Sequence, residues 1–383
     1  MNKKELGIYI HVPFCKSKCY YCDFVSFPNK INAVKAYINA LKKEMEQFDV
    51  SNYNVTTIYI GGGTPSYIDA ENIKQIFEIL NKKLENNDTR IQDMEITIEI
   101  NPGTATIEKL KTYKKLGINR ISMGLQSTQD RLLKEIGRIH TYQEFLSTYK
   151  MARKVGFNNI NVDLMIGLPT QNIEDIKQSL EEVVKLQPEH ISVYSLIVEE
   201  GTVIEKRLNN EEIELPQEDV ERRMYWYVKN YLELQGYLQY EISNFTKKGY
   251  GSKHNLNCWR QKEYIGFGVA AHSYIEDTRF GNIDNLEEYI KNIEENHLEK
   301  NRIIEEKQTK EDKEKEFMML GFRKTEGISI SEFKEKFIDN PLFVYHKELE
   351  KLVRQKLIEI DLDNIRLTSK GLDFANLVFE EFI

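Results

Sequence analysis

Three of the four cysteines stand close together, in the order Cys15-Lys-Ser-Lys-Cys19-Tyr-Tyr-Cys22. Three thiolates on one loop can each bind one iron of a [4Fe–4S] cube and leave the fourth iron open, as a catalytic metal site keeps one position open for a substrate. In a reducing cytosol, such a group of cysteines indicates metal binding before a disulfide. The C-x₃-C-x₂-C spacing therefore predicts an iron–sulfur cluster with one open iron.

Two other uses of these cysteines are open on the sequence. A tetrahedral structural zinc site needs a fourth ligand, usually a cysteine or a histidine, and His11 or Cys258 could supply it. A redox-active C-x-x-C pair, here Cys19 and Cys22, would leave Cys15 without a role. The iron–sulfur cluster accounts for all three cysteines and is the interpretation that we carry forward.

Short β-rich runs alternate with amphipathic helical patterns up to about residue 200. Such alternation is typical of βαβ units, in which helices cover a parallel sheet. Six units are too many for a small flavodoxin-like sheet and too few for an eight-stranded barrel, so we predict an α/β fold with a partial (β/α)6 barrel. The predicted strands are Gly7–Val12, Thr56–Ile60, Glu95–Ile100, Arg120–Leu125, Asn161–Ile166 and His190–Leu196. The predicted helices between them are Ala33–Phe48, Ala70–Leu84, Ile107–Leu116, Tyr142–Val155 and Ile173–Leu186.

Functional residues of such a barrel are expected at the carboxyl ends of its strands. The cysteine loop follows the first strand, and the run Gly61-Gly62-Gly63-Thr64-Pro65 follows the second, where bare glycine backbone would allow a ligand to approach closely. The later strands carry Glu99, Gln126 and Asp163 at or near their ends, and the sixth ends near Ile197. Each of these residues alone would be an ordinary structural residue. Their shared position on consecutive strands predicts one site at this end of the barrel.

The pattern changes after residue 200. A long, aromatic-rich helix is predicted at Glu218–Leu234, and Gly236 follows it as a stop signal. The Lys- and Glu-rich run Arg302–Glu316 is interpreted as a solvated linker or helix surface. Short helices and a hairpin at Ile358–Thr368 then predict a small winged-helix-like domain. We therefore expect a barrel at 1–235, a barrel-capping segment at 236–300 and the winged-helix-like domain at 301–383.

The composition narrows the class of protein. The 383 residues carry a formal net charge of −8 and are 40% hydrophobic, so the chain can bury a sizeable core and lacks an overall basic character. This argues against a protein that binds nucleic acid by neutralising phosphates. The apolar runs fall short of the ~20 residues needed to span a bilayer, and Ile8–Val12 is too short for the core of a signal peptide. We expect a soluble, cytoplasmic protein.

The cysteine motif, with an aromatic residue before its last cysteine, resembles the signature of the radical S-adenosylmethionine (SAM) superfamily. Further stretches resemble the oxygen-independent coproporphyrinogen III oxidase group of that superfamily, namely Ile8–Cys15, Gly61–Pro65, Ser122–Gln126 and Asp163–Pro169. The resemblance implies that the open iron binds the amino and carboxylate groups of SAM, with Arg138 as a cation for the carboxylate. It implies SAM contacts at Tyr9, Gly62, Gly63, Thr64, Glu99, Gln126, Arg138, Asp163 and Ile197.

Two functions compete within this group. One is the oxidative decarboxylation of two propionate side chains of coproporphyrinogen III. The other is that of the HemW family, oxidase-like proteins regarded as haem chaperones that bind haem and deliver it to acceptor proteins. The oxidases have a further cysteine two residues after the third, where this sequence has Phe24, and an extra N-terminal segment that is nearly absent here. The resemblance therefore favours the chaperone, and it leaves open whether SAM is consumed.

A third feature is the run His254-Asn-Leu-Asn-Cys258-Trp259, which resembles the H-N-x-x-Y motif associated with haem binding in the HemW family. Cys258 stands in place of the family tyrosine. Histidine, cysteine and tyrosine can all be axial haem ligands, so the resemblance implies haem at His254 or Cys258, with His272 as a further alternative. The expected partners are SAM, haem and haem-accepting proteins, with transient contacts to membrane respiratory proteins. A homodimer is compatible with the resemblance, and nucleic acid is not an expected partner.

Overall fold

The fold is described from a computed structural model, which covers residues 3–85 and 87–383. Within these residues the strands are, in chain order, β1 (Lys4–Val12), β2 (Phe14–Cys15), β3 (Phe27–Pro28), β4 (Tyr53–Gly62), β5 (Glu95–Ile100), β6 (Arg120–Gln126), β7 (Ile160–Ile166), β8 (His190–Ser195), β9 (Leu238–Glu241), β10 (Asn244–Thr246), β11 (Tyr264–Phe267), β12 (His272–Ile275), β13 (Thr278–Asn282), β14 (Arg302–Lys307), β15 (Ile328–Ser329), β16 (Ile358–Ile360) and β17 (Asn364–Leu367).

The helices of the same residues are α1 (Val34–Gln47), α2 (Ala70–Leu84), α3 (Ile107–Lys115), α4 (Asp130–Glu135), α5 (Tyr142–Val155), α6 (Ile173–Lys185), α7 (Val203–Asn209), α8 (Glu218–Leu234), α9 (Lys253–Trp259), α10 (Leu286–Glu294), α11 (Lys310–Gly321), α12 (Ile330–Phe337), α13 (Pro341–Val344), α14 (His346–Arg354), α15 (Ser369–Asp373) and α16 (Ala375–Phe379). Among the helices described here, none combines the length and the apolar character that a bilayer span requires.

Six parallel strands form the centre of the main sheet, in the order β1-β4-β5-β6-β7-β8. The six strands predicted from the sequence are thus confirmed, and the predicted helices between them are α1, α2, α3, α5 and α6. The order of the strands in the sheet is their order in the chain, as right-handed βαβ crossovers of adjacent strands require. The predicted α/β class with a partial barrel is confirmed.

The two faces of these strands differ in chemistry because successive side chains of a strand point to opposite faces. Apolar residues such as Ile58, Ile121 and Ile191 belong to the large hydrophobic cluster that includes the helices. Polar residues alternate with them on the inner face and are also buried, namely Thr57, Glu95, Thr97, Arg120, Ser122, Asn161, His190 and Ser192. The barrel interior is therefore polar, and its polar atoms need partners inside the barrel.

Residues after α8 extend both edges of this sheet. On one side β11 pairs in parallel with β1, and β12, β13 and β14 follow as antiparallel strands. On the other side β10 pairs with β8, and β9 with β10. The linker or helix surface expected at Arg302–Glu316 is solvent-exposed in its first part, but that part is the strand β14, and the helix α11 begins only at Lys310. The division of the chain at residues 235 and 300 stays a prediction.

The last part of the chain has a hydrophobic cluster of its own. Helices α11 to α16 pack around the three-stranded sheet β15-β17-β16, which includes the predicted hairpin. Backbone hydrogen bonds attach this part to the end of the main sheet, from Ile242 N to Arg323 O (3.0 Å) and from Thr325 N to Tyr240 O (3.1 Å). The indole nitrogen of Trp226, on α8, also donates to Asp373 (2.8 Å).

Candidate functional site

A cavity of about 490 Å³ lies at the carboxyl ends of the parallel strands. The three cysteines Cys15, Cys19 and Cys22 line it. So do most of the residues predicted to contact SAM, namely Gly62, Gly63, Thr64, Glu99, Gln126, Arg138, Asp163 and Ile197. Because the lining comes from the loop after β1 and from the ends of β4, β5, β6, β7 and β8, the sheet curves enough to surround one site. The convergence expected from strand ends is thus present.

The cysteine loop is held by backbone hydrogen bonds to two helical segments behind it. Tyr20 N donates to Ile136 O (3.0 Å), and Ile204 N donates to Tyr20 O (2.9 Å). Cys15 is buried and Cys22 is half-buried, and all the cysteines are free thiols. Burial raises the pKa of Cys15 and raises that of Cys22 to about 11. A metal that binds them as thiolates must therefore displace their protons.

The two candidate fourth ligands of a zinc site are both engaged elsewhere. The ring nitrogens of His11 are bonded to the Tyr9 hydroxyl (3.0 Å) and to the Val25 carbonyl (2.9 Å). Cys258 lies on α9, whose first backbone N–H groups bind Glu95 at the opposite end of the strands. The donor set at the cavity therefore fits a three-cysteine cluster. Tyr9 is the one predicted SAM residue that does not line the cavity, since it lies beneath it against Tyr59.

The glycine loop after β4 packs directly on the cysteine loop. A Cβ added at Gly63 would lie 3.0 Å from Cys15 Sγ and 2.9 Å from the carbonyl carbon of Pro13. Gly62 has a φ of +112°, and a Cβ there would lie 2.6 Å from the His11 ring. Thr64 Oγ1 lies 3.5 Å from Cys15 Sγ. Only glycines leave this backbone open to a ligand beside the cysteines.

Two carboxylates lie on the inner wall of the cavity. Glu99 accepts hydrogen bonds from the Tyr59 hydroxyl (2.8 Å) and from Gly62 N (3.2 Å). Burial raises the pKa of Glu99 to about 7, and the nearby charge of Asp163 adds to the effect. Burial also raises the pKa of Asp163, although hydrogen bonds from neighbouring side chains oppose the shift. Both groups can accept hydrogen bonds from the hydroxyl or amino groups of a ligand.

The guanidinium of Arg138 is fixed beside the cysteines. Its Nη2 donates to Asn101 Oδ1 (2.6 Å) and to Gly124 O (2.5 Å), and its Nη1 lies 3.5 Å from Cys19 Sγ. The buried Nε lacks a hydrogen-bond partner among the described residues. Asn101, which also donates to Thr64 Oγ1 (3.0 Å), is absent from the predicted contacts, and its only signal is its place at the end of β5. This arrangement suits a ligand carboxylate.

The mouth of the cavity is exposed and carries apolar and charged side chains, since Lys18, Asp23 and Glu199 line it beside Phe24 and Ile197. Phe24 and Ile197 line it with 62% and 66% of their surface accessible. Gln126 lines the interior with a φ of +71°, where the β6–β7 pairing shifts its register. The cavity therefore has a polar, enclosed floor and an exposed rim of apolar and charged side chains.

The predicted haem residues do not lie at this cavity. His254 is buried at the opposite end of the barrel, with its Nδ1 bonded to Thr57 Oγ1 (2.9 Å) and its backbone N–H bonded to Glu95 (3.1 Å). Cys258 lies one turn further along α9, and burial raises its pKa to about 11. His272 is exposed and pairs with Glu305 (2.9 Å). The structure brings His254 and Cys258 onto one helix but keeps them apart from the three clustered cysteines.

Comparison with known proteins identifies the family. Residues 9–183 match the model of the Radical SAM superfamily, and residues 308–374 match the HemN C-terminal domain. "Heme chaperone HemW" of Lactococcus lactis subsp. lactis is 37% identical, over 100% of this chain and 98% of its own length. "Heme chaperone HemW" of Bacillus subtilis is 38% identical over 98% of each chain, and that of Escherichia coli is 33% identical over 99% and 98%. This chain belongs to the HemW family.

Membership of the HemW family confirms the resemblance that the motifs carry. The radical SAM domain implies a [4Fe–4S] cluster and SAM, and the cysteines and the polar floor lie within or next to the matched residues. The structure of Escherichia coli coproporphyrinogen III oxidase (HemN) superposes with a TM-score of 0.85 over 99% of this chain and 90% of that one. At 22% identity this similarity shows that this chain and the oxidase share a fold.

Proposed function

We propose that this protein is a haem chaperone that binds haem, transfers it to acceptor proteins and carries a SAM-bound [4Fe–4S] cluster. The observation that carries the proposal is similarity along the whole chain, at 37% and 38% identity, to proteins named heme chaperone HemW. Phe24 supports it, because this exposed residue stands at the cavity mouth where the oxidases are expected to have a further cysteine.

The cysteine loop would hold the cluster, and the cavity beside it would hold SAM. Cys15, Cys19 and Cys22 would each bind one iron. When bound, a reduced cluster can supply one electron to the sulfonium of SAM. Arg138, oriented by Asn101, would pair with the SAM carboxylate, because a fixed guanidinium forms strong charge-assisted hydrogen bonds to carboxylates.

The floor of the cavity would orient the rest of SAM. The backbone of Gly62 and Gly63 would pass close to the amino group, since neither residue has a side chain to block it. Glu99 and Asp163 would accept hydrogen bonds from ribose hydroxyls or from the amine. Ile197 and Gln126 complete the wall. These roles require binding and orientation only, and they do not require SAM to be consumed.

Haem would bind through helix α9, with Cys258 or His254 as the axial ligand. His254 is buried and already bonded to Thr57, so coordination by His254 requires α9 to move away from the end of the barrel that it covers, whereas Cys258 is half-buried. His272 is the exposed alternative. We expect Cys258→Ala to change the absorption spectrum of bound haem, whereas Cys258→Ser and His272→Ala serve as comparisons. A spectrum unchanged by Cys258→Ala and changed by His272→Ala would move the ligand to His272.

Haem titration and transfer test the chaperone directly. The cluster-loaded protein should shift the Soret band at micromolar haem. It should then transfer its haem to an apo-haemoprotein faster than the same apo-haemoprotein takes up free haem from buffer. No Soret shift at micromolar haem would refute the proposal. Size-exclusion chromatography with and without the cluster tests the proposed homodimer, and vesicles that contain respiratory complexes test the proposed membrane contact.

The rival function is that of a coproporphyrinogen III oxidase. An anaerobic assay with coproporphyrinogen III, SAM and a reductant separates the two, with Escherichia coli HemN as the positive control. We expect no protoporphyrinogen from this protein. Measurable product at a rate comparable with that of HemN would replace the chaperone assignment by the oxidase.

A further inference from the structure

A chain of side-chain hydrogen bonds crosses the polar interior of the barrel. It begins at Asp163 on the cavity wall, whose Oδ1 lies 2.7 Å from Asn161 Nδ2. Asn161 Oδ1 lies 2.6 Å from His190 Nδ1. His190 Nε2 lies 2.8 Å from the Tyr240 hydroxyl, which lies 3.2 Å from the backbone nitrogen of Ser252, next to α9. The chain thus connects the wall of the SAM cavity to the start of the helix with the proposed haem ligands.

The direction of every hydrogen bond in this chain is determined. The carboxylate of Asp163 accepts, so the amide of Asn161 must present its nitrogen to Asp163 and its oxygen to His190. His190 therefore carries its proton on Nδ1, and its bare Nε2 accepts from the Tyr240 hydroxyl. That hydroxyl in turn accepts from the N–H of Ser252. All donors point towards Asp163, and bonds aligned in this way polarise one another.

The chain is enclosed, and it holds Asn161 from two sides. His190 and Asn161 are almost fully buried, and burial keeps the pKa of His190 well below its ordinary value, so the ring is neutral. Ser192 also donates to Asn161 Oδ1 (3.0 Å). With its oxygen bonded to both His190 and Ser192, the amide of Asn161 cannot turn without leaving buried groups unpaired. Asn161 in turn donates to Oδ1 of the Asp163 carboxylate, and Ser122 donates to its Oδ2 (3.3 Å).

We propose that His190 is a positioning residue for the SAM site, which acts through Asn161 to hold Asp163 in place as a hydrogen-bond acceptor. The inference rests on the proposed function in one respect, that Asp163 contacts SAM. Tyr240 supports the tautomer of His190 that Asn161 sets, because its hydroxyl donates to the bare Nε2. Neither residue lines the cavity, so each would affect SAM only through this chain.

The affinity of the cluster-loaded protein for SAM tests the inference. Tyr240→Phe removes the hydrogen bond to His190 Nε2, and His190→Leu removes the donor to Asn161. We expect both variants to raise the Kd of SAM by about threefold to tenfold. His190→Asn keeps a side-chain N–H at the place of Nδ1, and we expect it to restore affinity to within about twofold of the unaltered protein.

Tyr237→Phe is the matched control. The Tyr237 hydroxyl is also buried and donates to Pro188 O (2.7 Å) just before β8, but it is outside the chain. The SAM-induced change in the electron paramagnetic resonance spectrum of the reduced cluster, which a loss of stability alone would not alter, provides a second measurement. If Tyr240→Phe and Tyr237→Phe bind SAM equally well, the inference is wrong while the SAM site stands. If the unaltered protein fails to bind SAM, the proposed site and the inference fall together.

Discussion

The side chains around the cavity fix one another. Arg138 is held by Asn101, Asn101 by Thr64, and Thr64 lies against the thiol of Cys15. These contacts therefore connect Cys15 to the guanidinium that lies beside Cys19. Binding a carboxylate to such a prearranged group loses less conformational entropy than binding to a free arginine. The cysteine loop and the proposed SAM site therefore form one structural unit, and a change in either should affect both.

Gly63→Ala tests how tightly the two loops pack. Its Cβ would approach Cys15 Sγ to 3.0 Å and the Pro13 backbone to 2.9 Å, and the backbone cannot yield cheaply. We expect the variant to fold but to retain less than about half of the iron after reconstitution, since cluster geometry tolerates little displacement. Iron and sulfide analysis measures this. Gly251→Ala, whose Cβ would meet its nearest neighbour at 3.7 Å, is the control and should retain its full iron content.

The affinity for SAM should depend on pH through Glu99. Burial raises the pKa of this carboxyl to about 7, so it is mostly protonated below that pH and ionised above it. The ionised form is the stronger acceptor. We therefore expect the Kd of SAM to fall by about threefold to tenfold between about pH 6 and about pH 8. Titrations across this range should show a flat profile in Glu99→Gln. In Asp163→Asn the slope should move to lower pH, because the charge of Asp163 helps to raise the pKa of Glu99. An unchanged slope in Glu99→Gln would contradict the assignment.

At the scale of elements, the central strands and helices could be predicted because each carries a local signal. The strand Glu95–Ile100 and the helices Ala70–Leu84 and Tyr142–Val155 have the predicted bounds, since apolar periodicity and caps such as Thr141 mark their ends. The sequence also indicates the strand ends that form the cavity. It does not show that β9 to β14 extend the sheet, because these strands are short and pair with partners distant in sequence.

The interior of the barrel is the part of the site that could not be predicted from the sequence. Arg120 and His190 lie within strand-like runs, where a polar residue ordinarily indicates the solvent side. Only curvature of the sheet turns that side into an enclosed interior. Tyr240 reaches His190 from another strand, and α9 reaches Glu95 across 157 to 159 residues of chain. Such long-range contacts have no local pattern from which they could be inferred.

The contact between β13 and α11 depends on one ion pair of low exposure. Arg279 binds Glu316 through Nε (2.7 Å) and Nη2 (2.5 Å). Removing one member leaves the other as an unpaired, largely buried charge, so we expect Arg279→Met to lower the free energy of unfolding by about 3 kcal/mol. Urea denaturation measures the change. Lys74→Met removes one member of an exposed pair with Glu71 and should cost less than about 1 kcal/mol. Equal effects of the two substitutions would contradict the argument.

At the scale of the whole molecule, two hydrophobic clusters meet at a polar boundary. The larger contains the main sheet and its helices, and the smaller contains Phe317, Phe333 and Phe382. Arg279 and Glu316, together with Trp226 and Asp373, bridge the two. Buried apolar area stabilises a folded region, so we expect the free energy of local unfolding to be lower for the smaller cluster than for the larger one.

Hydrogen exchange can detect this separate opening. We expect peptides within 317–382 to exchange together, and peptides within 120–166 to exchange more slowly by at least about tenfold. Asp373→Asn should speed exchange in the first group and leave the second unchanged, because it weakens only the boundary. Exchange of both groups at one common rate in the unaltered protein would show that they unfold as one unit.

Helix α9 is attached to the end of the barrel opposite the cavity, and this attachment couples the two ends of the barrel energetically. Glu95 and Tyr240 bind backbone N–H groups at the start of this helix, and Tyr240 is also a member of the chain that ends at Asp163. A ligand that draws α9 away from the barrel disturbs this chain, and it therefore opposes any ligand that needs Asp163 in its present orientation. By thermodynamic reciprocity, each then weakens the affinity of the other by the same factor. Haem bound on α9 and SAM bound in the cavity would then lower each other's affinity without any contact between the two ligands.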